Sequence, residues 1–264
     1  MTTDTDTNTD DTDTGTETAI YVYGILPADV DIDDDTRGVG DPPAEVSTVP
    51  SGPIAALVSE IPRDAPLGRP QDLSAHARLL DAAAAELPVL PLRFGAVVTD
   101  EQAVVDELLD ANRDDFTAAL EQLEGKAEYL VRARYDERAI LREILSENDR
   151  MAQLAEAIRG KPEDATRNER MALGEQITQA IEAKRALDTQ RVADALAESV
   201  VQLAPRQPTH EEEAVHLAVL AETERQDELE AVIDQLAQEW QGRVEVRLLG
   251  PLAAYDFVVT RIPE

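Results

Sequence analysis

The order of strand and helix patterns after Gly125 constrains the fold of this chain more than any other feature of the sequence. EYLVRARY, residues 128–135, alternates apolar and polar positions in the manner of a half-buried strand. Residues 139–201 are rich in Ala, Glu, Arg and Gln, with apolar residues recurring at three and four and one break at 160–162, which predicts two helices or more. The patterns that follow are a strand at 216–223, a helix at 227–240 and two closing strands at 242–251 and 255–259.

Such an order of strand, helices, strand, helix, strand and strand is what a ferredoxin-like sandwich needs, in which helices cover one face of an antiparallel sheet. We therefore predict a C-terminal ferredoxin-like domain with a helical insertion over residues 125–264. The domain boundary is expected near Gly125, which follows the last apolar position of a predicted helix.

The first half of the chain predicts a separate α/β sandwich over residues 19–124. Strands are expected from Ala19 to Pro27 and from Gly52 to Pro62, with a loop at 29–50 between them. A helix with Leu73 and His76 on its inward stripe is expected at 72–86, followed by an edge strand at 87–98 that contains two prolines. The last helix should begin at Thr99, with Gln102 completing a capping box. The predicted fold class is thus α+β with two domains, the second a ferredoxin-like variant with additional long helices.

Residues 1–18 are predicted to be a disordered acidic tail. Positions 2–18 hold nine threonines and five aspartates and almost nothing apolar, so they bury too little surface to offset the entropy of ordering. The tail is also unlike a signal peptide, which needs a basic and then an apolar stretch.

The net charge of −31, from 55 acidic and 24 basic residues, excludes a typical nucleic-acid binder, because phosphate neutralisation needs a basic face. Concentrated salt screens such self-repulsion within a few Å, so the acid excess indicates a salt-adapted cell. No segment approaches the roughly 18 apolar residues of a membrane span, and there is no cysteine to suggest an oxidising compartment. We expect a cytoplasmic protein without a nucleic-acid or membrane partner.

A metal site is conceivable only around His210, Glu213 and His216, which lie three apart. A zinc protease needs two histidines four apart on one helix with a glutamate between them, and this spacing does not match. The segment is better interpreted as an acidic surface turn followed by a half-buried histidine. No metal and no cofactor is predicted.

Recognised catalytic patterns do not occur either. The sequence has no Gly-x-Ser-x-Gly elbow, and Ser74 is expected to satisfy a free N–H in the first turn of its helix. Gly38-Val39-Gly40 is followed by Asp41-Pro42-Pro43, which removes amide donors and adds repulsion where a phosphate loop needs donors. The chain is predicted not to be an enzyme.

Several short segments, taken in order, carry a resemblance to the gas vesicle protein F/L family. The segments are Tyr21–Ile25, Gly52–Ser59, His76, Val89–Gly95, Gly125–Tyr129, Ala218–Leu220, Gly250–Pro251 and Tyr255 with Phe257–Val258. They span almost the whole chain, from Ala19 to Val259. The acidic tail and the long middle segment are more similar to the haloarchaeal L type than to the shorter F type.

This resemblance implies a two-domain α+β accessory protein that takes part in building the gas-filled shell. Its implied partners are the small hydrophobic shell protein and other gas vesicle accessory proteins. Three functions stay open: an assembly factor, a minor structural component of the shell, and an enzyme with an unrecognised acidic pocket. The first is favoured, because a charged protein that covers an apolar shell subunit delays its aggregation.

Four residues are predicted to border the surface that meets the shell protein. Arg93 and Phe94 lie in the predicted edge strand, where Pro88 and Pro91 each lack an amide and would leave one side of a ladder incomplete. Tyr255 and Phe257 are two aromatics of the closing segment in a chain that is only 3% aromatic. For Phe94 the alternative of an interior core position is favoured, and for Tyr255 the two alternatives are evenly balanced.

Overall fold

The computed structural model describes residues 17–33 and 35–258, which form two antiparallel sheets with helices packed on them. Most of the predicted disordered tail, residues 1–16, lies outside the described residues, as does Val259 of the predicted closing strand. Thr18, which the sequence placed in the tail, is the first residue of a strand.

The first sheet is built around a central pair of long strands. Its members are β1 (Thr18–Pro27), β2 (Ser47–Ser51), β3 (Ile54–Pro62), β4 (Leu90–Pro91) and β5 (Val97–Val98). The order is β2-β3-β1, and the short β4 and β5 both pair with the other side of β1. The edge position predicted for the proline-containing segment is confirmed, but the continuous strand predicted at 87–98 is wrong, because the segment forms only the two-residue strands β4 and β5. The loop predicted at 29–50 is wrong at its end, because Val49 is buried and pairs with Ala56.

Each face of the first sheet is covered by a different helical segment. On one face α1 (Pro70–Ala84) packs against Tyr21, Tyr23 and Leu57. On the other lies a segment of α2 (Glu101–Ala103), a π-helical turn (Val104–Leu109), a 3₁₀ turn (Asp110–Asn112) and α3 (Arg113–Leu123). Gly125 follows α3 with φ +67°, as the sequence predicted for a residue just past the helix end.

Three sequence-based details of these helices are wrong. Leu73 is 48% exposed, because the buried face of α1 is set one residue earlier, by Asp72 together with His76. The Ser74 hydroxyl donates to the Pro70 carbonyl instead of accepting from a free N–H. The second helical segment is capped by Asp100, whose side chain accepts from the Ala103 N–H at 2.8 Å, so there is no capping box at Gln102.

The second sheet has the ferredoxin-like topology that was predicted. Its strands are β6 (Lys126–Tyr135), β7 (Gln202–Pro205), β8 (Glu213–Glu222) and β9 (Val244–Leu252). The order is β7-β8-β6-β9 and every pair is antiparallel. The helices α4 (Glu137–Glu147), α5 (Asp149–Ile158) and α6 (Arg167–Leu196) connect β6 to β7, and α7 (Gln226–Glu239) connects β8 to β9.

The helical layer packs on the face of β6 that alternation predicted, with Tyr129, Val131, Ala133 and Tyr135 all buried. β7 was missed by the sequence, and the closing segment after β9 forms a turn at 255–257 instead of a second closing strand. Ala254, just before this turn, and Phe257, its last residue, pack with Leu220 of β8 in the core of the first sheet. Part of the second face of the ferredoxin-like sheet is thereby covered. The domain boundary near Gly125 falls between α3 and β6 and stays a prediction.

Candidate partner-binding surface

The four residues predicted to border the partner surface lie in two chain segments. Arg93 and Phe94 belong to the connection between β4 and β5, and Tyr255 and Phe257 to the turn after β9. Arg93 and Tyr255 are exposed, whereas Phe94 and Phe257 are half-buried. The core alternative for Phe94 is partly right, because its ring packs against the cluster on the α1 face.

His76 of α1 brings two of these residues together. The Tyr255 hydroxyl lies 3.0 Å from His76 Nε2, and the Phe94 ring stands edge-on to the imidazole with centroids 5.6 Å apart. Phe257 is not part of this group, since it packs with Ala254 in the core on the opposite face of the first sheet. The structure therefore joins Phe94 and Tyr255 through one buried histidine and places Phe257 elsewhere.

Hydrogen bonds fix the tautomer of the neutral His76 ring. Nε2 lies 3.1 Å from the Leu92 carbonyl, which only accepts, so Nε2 carries the proton. Nδ1 is then the acceptor for the Tyr21 hydroxyl at 2.9 Å, and that hydroxyl in turn accepts from the Gly95 N–H. Burial lowers the pKa of His76 against the opposing effect of the Leu92 carbonyl, so the ring is neutral at neutral pH.

The closing segment is anchored to the first half of the chain a second time, by Asp81. The Ala253 N–H donates to Asp81 Oδ1 at 3.0 Å, and both groups lie at the junction of α1 with the end of β9. Burial raises the pKa of Asp81, and the Ala253 N–H only partly offsets this. Residues 253–255 thus dock on α1 through one main-chain and one side-chain hydrogen bond.

Glu128 of β6 holds the same segment from the other side. Its carboxyl is 2% exposed and accepts from the Asp256 N–H at 2.9 Å. Burial, with the neighbouring Asp256 carboxylate, raises the pKa of Glu128 to about 8, although the Asp256 N–H acts in the opposite direction. Arg206 lies 3.6 Å from the Asp256 carboxylate, which keeps that group paired. Glu128 is accordingly protonated at neutral pH.

Glu128→Gln is expected to stabilise the protein at alkaline pH. The folded-state pKa of Glu128 lies above its unfolded value of 4.5, so its contribution is complete below pH 4.5 and is lost as the pH rises through about 8. Glutamine keeps the acceptor for the Asp256 N–H and never ionises. Thermal unfolding followed by circular dichroism should show a gain of about 3–6 °C at pH 9 that vanishes at pH 4.5.

The control for that measurement is Glu222→Gln, at an exposed glutamate that ends β8. It should leave the pH dependence of the wild-type chain unchanged. An equal gain at all pH values for Glu128→Gln, or none at pH 9, would contradict the assignment of a neutral Glu128.

An apolar groove of about 500 Å³ lies beside the β4–β5 edge. The residues that line it are Ala19, Val22, Arg63, Leu92, Ala96, Val97, Val98, Thr99, Glu107 and Leu108. Its floor belongs to the core of the first sheet, whereas Val97 is 43% exposed at its rim. The groove is thus a concave apolar surface open to solvent, with Arg63 and Glu107 as its charged groups.

The sheet edge beside this groove is irregular: two further main-chain hydrogen bonds of 2.9 Å, from the Leu92 N–H to the Tyr23 carbonyl and from the Val22 N–H to the Ala96 carbonyl, join the edge segment to β1 between its two short strands. β1 pairs with β4 only at Gly24 and Ile25 and with β5 only at Ile20 and Tyr21. Between them the chain leaves the ladder at 93–95, where Gly95 has φ +95°, a backbone conformation that favours glycine. The segment 92–98 therefore offers a groove with Val97 at its rim and, four and three residues earlier, the exposed Arg93 and the ring of Phe94, which packs on the α1 face. We call these two parts together the edge surface.

The histidine and glutamate group considered as a metal site is occupied by protein partners. Glu213 is buried, and its carboxylate accepts from Arg132 at 2.7 Å and from the Thr209 N–H at 2.6 Å. His216 Nδ1 donates to the Gln207 carbonyl, and His210 is exposed. Within residues 17–33 and 35–258 no group of three His, Cys, Asp or Glu is placed to hold a metal ion. A groove of about 840 Å³ at this position is lined mainly by charged side chains.

The sequence patterns drew attention to His76 but did not reveal the residues that His76 and Glu128 contact. His76 was placed on the inward stripe of its helix, but its partners Tyr21, Leu92 and Tyr255 are separated from it by 55, 16 and 179 residues. Glu128 alternates with buried residues on β6 and was expected on the open face of the strand. Its burial follows from the docking of residues 253–258, which no local pattern reveals.

The two sheets, one of them ferredoxin-like, define the class of this molecule as a two-sheet α+β protein. The family model described as gas vesicle synthesis protein GvpL/GvpF matches residues 19–259. The chain therefore belongs to the gas vesicle GvpL/GvpF family. The family model covers both types, so the expectation of the L type stays a prediction.

Curated relatives and solved structures agree with this membership. Gas vesicle protein F of a Streptomyces species is 35% identical over 221 residues, which is 84% of this chain and 91% of the relative. The protein of that name from Dolichospermum flosaquae is 23% identical over 76% of this chain and 82% of its own length. Crystal structures of GvpF from an Anabaena species and from Microcystis aeruginosa, each 22% identical, superpose with TM-scores of 0.76 and 0.71. They cover 92% and 90% of this chain, and 100% and 98% of their own length is matched, which shows a shared fold.

Among the described residues, no helix has both the length and the apolar character that a bilayer span needs.

Proposed function

We propose that this member of the gas vesicle family is a cytoplasmic accessory protein that acts in vesicle assembly by binding the hydrophobic shell protein through the edge surface. The single observation that carries the proposal is an apolar groove open to solvent beside the short edge strands β4 and β5. A hydrophobic groove is one of the common ways in which apolar chain segments are bound. The edge surface offers such a groove.

Other features of the chain support a holding role. A shell subunit with a water-repelling face aggregates unless that face is covered before assembly. The net charge of −31 favours solubility, and concentrated salt screens the self-repulsion within the chain that would otherwise destabilise its fold. Other gas vesicle accessory proteins are the second class of partner, and we propose no catalytic activity.

A minor structural component of the shell is the alternative function. It is favoured only by membership of a family named for the vesicle. The amount of this chain retained by washed, mature vesicles separates the two roles. A fixed ratio to the shell protein after repeated washing indicates a structural component, whereas progressive loss indicates an assembly factor.

The edge surface is tested by a pull-down of the shell protein with Val97→Asp. A charge at the rim of the groove must be desolvated when an apolar segment binds, so we expect binding to fall about tenfold. Val201→Asp is the matched control, since Val201 is 49% exposed and lies beside β7 on the second sheet. Arg93→Ala changes the second part of the edge surface, and Tyr255→Ala removes the side chain that meets Phe94 through His76. Both are expected to weaken binding less than Val97→Asp does.

Each variant is first shown to fold by circular dichroism. Wild-type binding by a folded Val97→Asp would refute the edge surface as the site of contact. Equal loss with Val201→Asp would also refute it, because the effect would then follow from added charge alone.

A further inference from the structure

β9 is an edge strand of the ferredoxin-like sheet, and among the described residues it pairs only with β6. The pairing with β6 determines which main-chain N–H and C=O groups of β9 point away from the sheet. The Tyr135 N–H donates to the Glu212 carbonyl at 2.9 Å, so the main-chain groups of Tyr135 point toward β8. Because these groups alternate along a strand, those of Arg134 and Arg132 point toward β9.

The partners of Arg134 and Arg132 on β9 are Glu245 and Arg247. Their N–H and C=O groups are therefore used by the β6 ladder, and those of Val246 and Leu248 point away from the sheet. An outward pair of donors and acceptors of this kind is what a further strand needs for antiparallel addition.

The side chains of β9 divide between the two faces of the sheet. Val246 and Leu248 pack against the core under the helices, whereas Glu245 and Arg247 are exposed on the opposite face. The guanidinium of Arg247 pairs with the Glu245 carboxylate at 2.6 Å, with the two side chains 69% and 62% exposed. Opposite charges thus alternate with apolar residues along the free edge.

This pattern is self-complementary in one register. Two antiparallel copies of β9 must place outward-facing residues opposite each other, which leaves pairings centred on Glu245, Val246, Arg247 or Leu248 within the exposed stretch. Centring on Glu245 sets two glutamates opposite each other. Centring on Arg247 sets two arginines opposite each other, and centring on Leu248 sets Arg247 opposite Leu249. Only the pairing about Val246 sets Glu245 of each copy opposite Arg247 of the other, an arrangement that favours cross-strand pairing.

We propose that two copies of this chain associate through β9, antiparallel about Val246, and so join their ferredoxin-like sheets into one sheet of eight strands. The ladder is short, so the association depends on protein concentration. The acidic copies repel each other in dilute buffer, and molar salt, which screens charge over about 3 Å, is the condition under which the dimer forms.

Disulfide trapping tests this register directly, because the chain contains no cysteine of its own. Glu245→Cys and Arg247→Cys proteins are mixed in molar KCl under mild oxidation. Opposed positions of an antiparallel pair are close enough for a disulfide. We expect the mixed dimer to form at least about five times more than the Arg247→Cys homodimer. Arg134→Cys is the matched control, because Arg134 is exposed on the same face but lies on the internal strand β6.

Mixed-dimer yields no higher than that of Arg134→Cys would overturn the proposal, and so would a dominant Arg247→Cys homodimer. Charge exchange provides an independent readout by sedimentation equilibrium. Glu245→Arg sets arginines opposite each other and should weaken the dimer about tenfold, and the double exchange Glu245→Arg with Arg247→Glu should restore it. Failure of the double exchange to restore association would likewise contradict the proposed register.

Discussion

Gly250→Ala is expected to lower the free energy of unfolding by about 3 kcal/mol, whereas the same change at Gly174 is expected to raise it by about 1 kcal/mol. At Gly250 the new Cβ would lie 2.5 Å from Tyr129 Cδ1 and 3.0 Å from the Glu128 carbonyl oxygen, and φ is +144°. The Tyr129 ring is 1% exposed and its hydroxyl donates to Gln226, so it has no room to withdraw.

Gly174 provides the internal control for this prediction. It lies on the exposed side of α6, where an added Cβ meets no atom within 4 Å, and alanine favours the helix. Thermal unfolding monitored by circular dichroism should move down by about 6–12 °C for Gly250→Ala and up by about 2–4 °C for Gly174→Ala. Shifts of the same sign in both variants would contradict the close approach of β9 to Tyr129.

His76→Ala is the second change with a large expected effect, a loss of about 2–4 kcal/mol. It removes the acceptor of the buried Tyr21 hydroxyl and the link to Tyr255, and it leaves a cavity beside Phe94. Chemical denaturation at pH 7.5 measures the loss, with His210→Ala at an exposed histidine as the control, which should stay within about 0.5 kcal/mol of wild type.

The pH dependence of stability is the second readout for His76. Its folded-state pKa lies below its unfolded value of 6.5, so its contribution is complete above pH 6.5 and falls as the pH falls toward the folded pKa. His76→Ala should lack this acid-side decline. If the variant unfolds at the wild-type denaturant concentration, or declines equally between pH 6.5 and 5, the buried neutral histidine is contradicted.

Patterns of short range predicted most of the regular structure. The alternation of apolar and polar residues on β6 predicted the correct buried face, because one layer of helices covers that face. The strands and helices after Gly125 predicted a ferredoxin-like sheet, which is confirmed, but the predicted order lacked β7 and had a second closing strand that does not form. Gly125 correctly predicted where α3 ends.

Elements that depend on a distant partner were missed. β2 and β7 are five and four residues long, and each becomes a strand only because β3 or β8 supplies a ladder. The closing segment is apolar enough for a strand, but Ala254 and Phe257 are used to pack against the first sheet, and the chain turns there.

The candidate site was predictable only in part, for the same reason. An edge strand with prolines and two aromatics marked Arg93, Phe94 and Tyr255. The groove around Val97 and the histidine that links Phe94 to Tyr255 needed the positions of α1 and the π-helical turn. The Glu128–Asp256 contact joins residues 128 positions apart and leaves no trace in local spacing.

Co-expression with the shell protein tests the proposal that this chain keeps the hydrophobic shell protein dispersed for assembly. The measured quantity is the fraction of shell protein left in the supernatant after centrifugation in molar KCl, with the chain absent, wild type, Val97→Asp or Val201→Asp. We predict a large supernatant fraction with wild type and Val201→Asp, and pelleting with Val97→Asp as complete as without the chain. Pelleting that is equally complete in the presence of the wild-type chain would contradict the account.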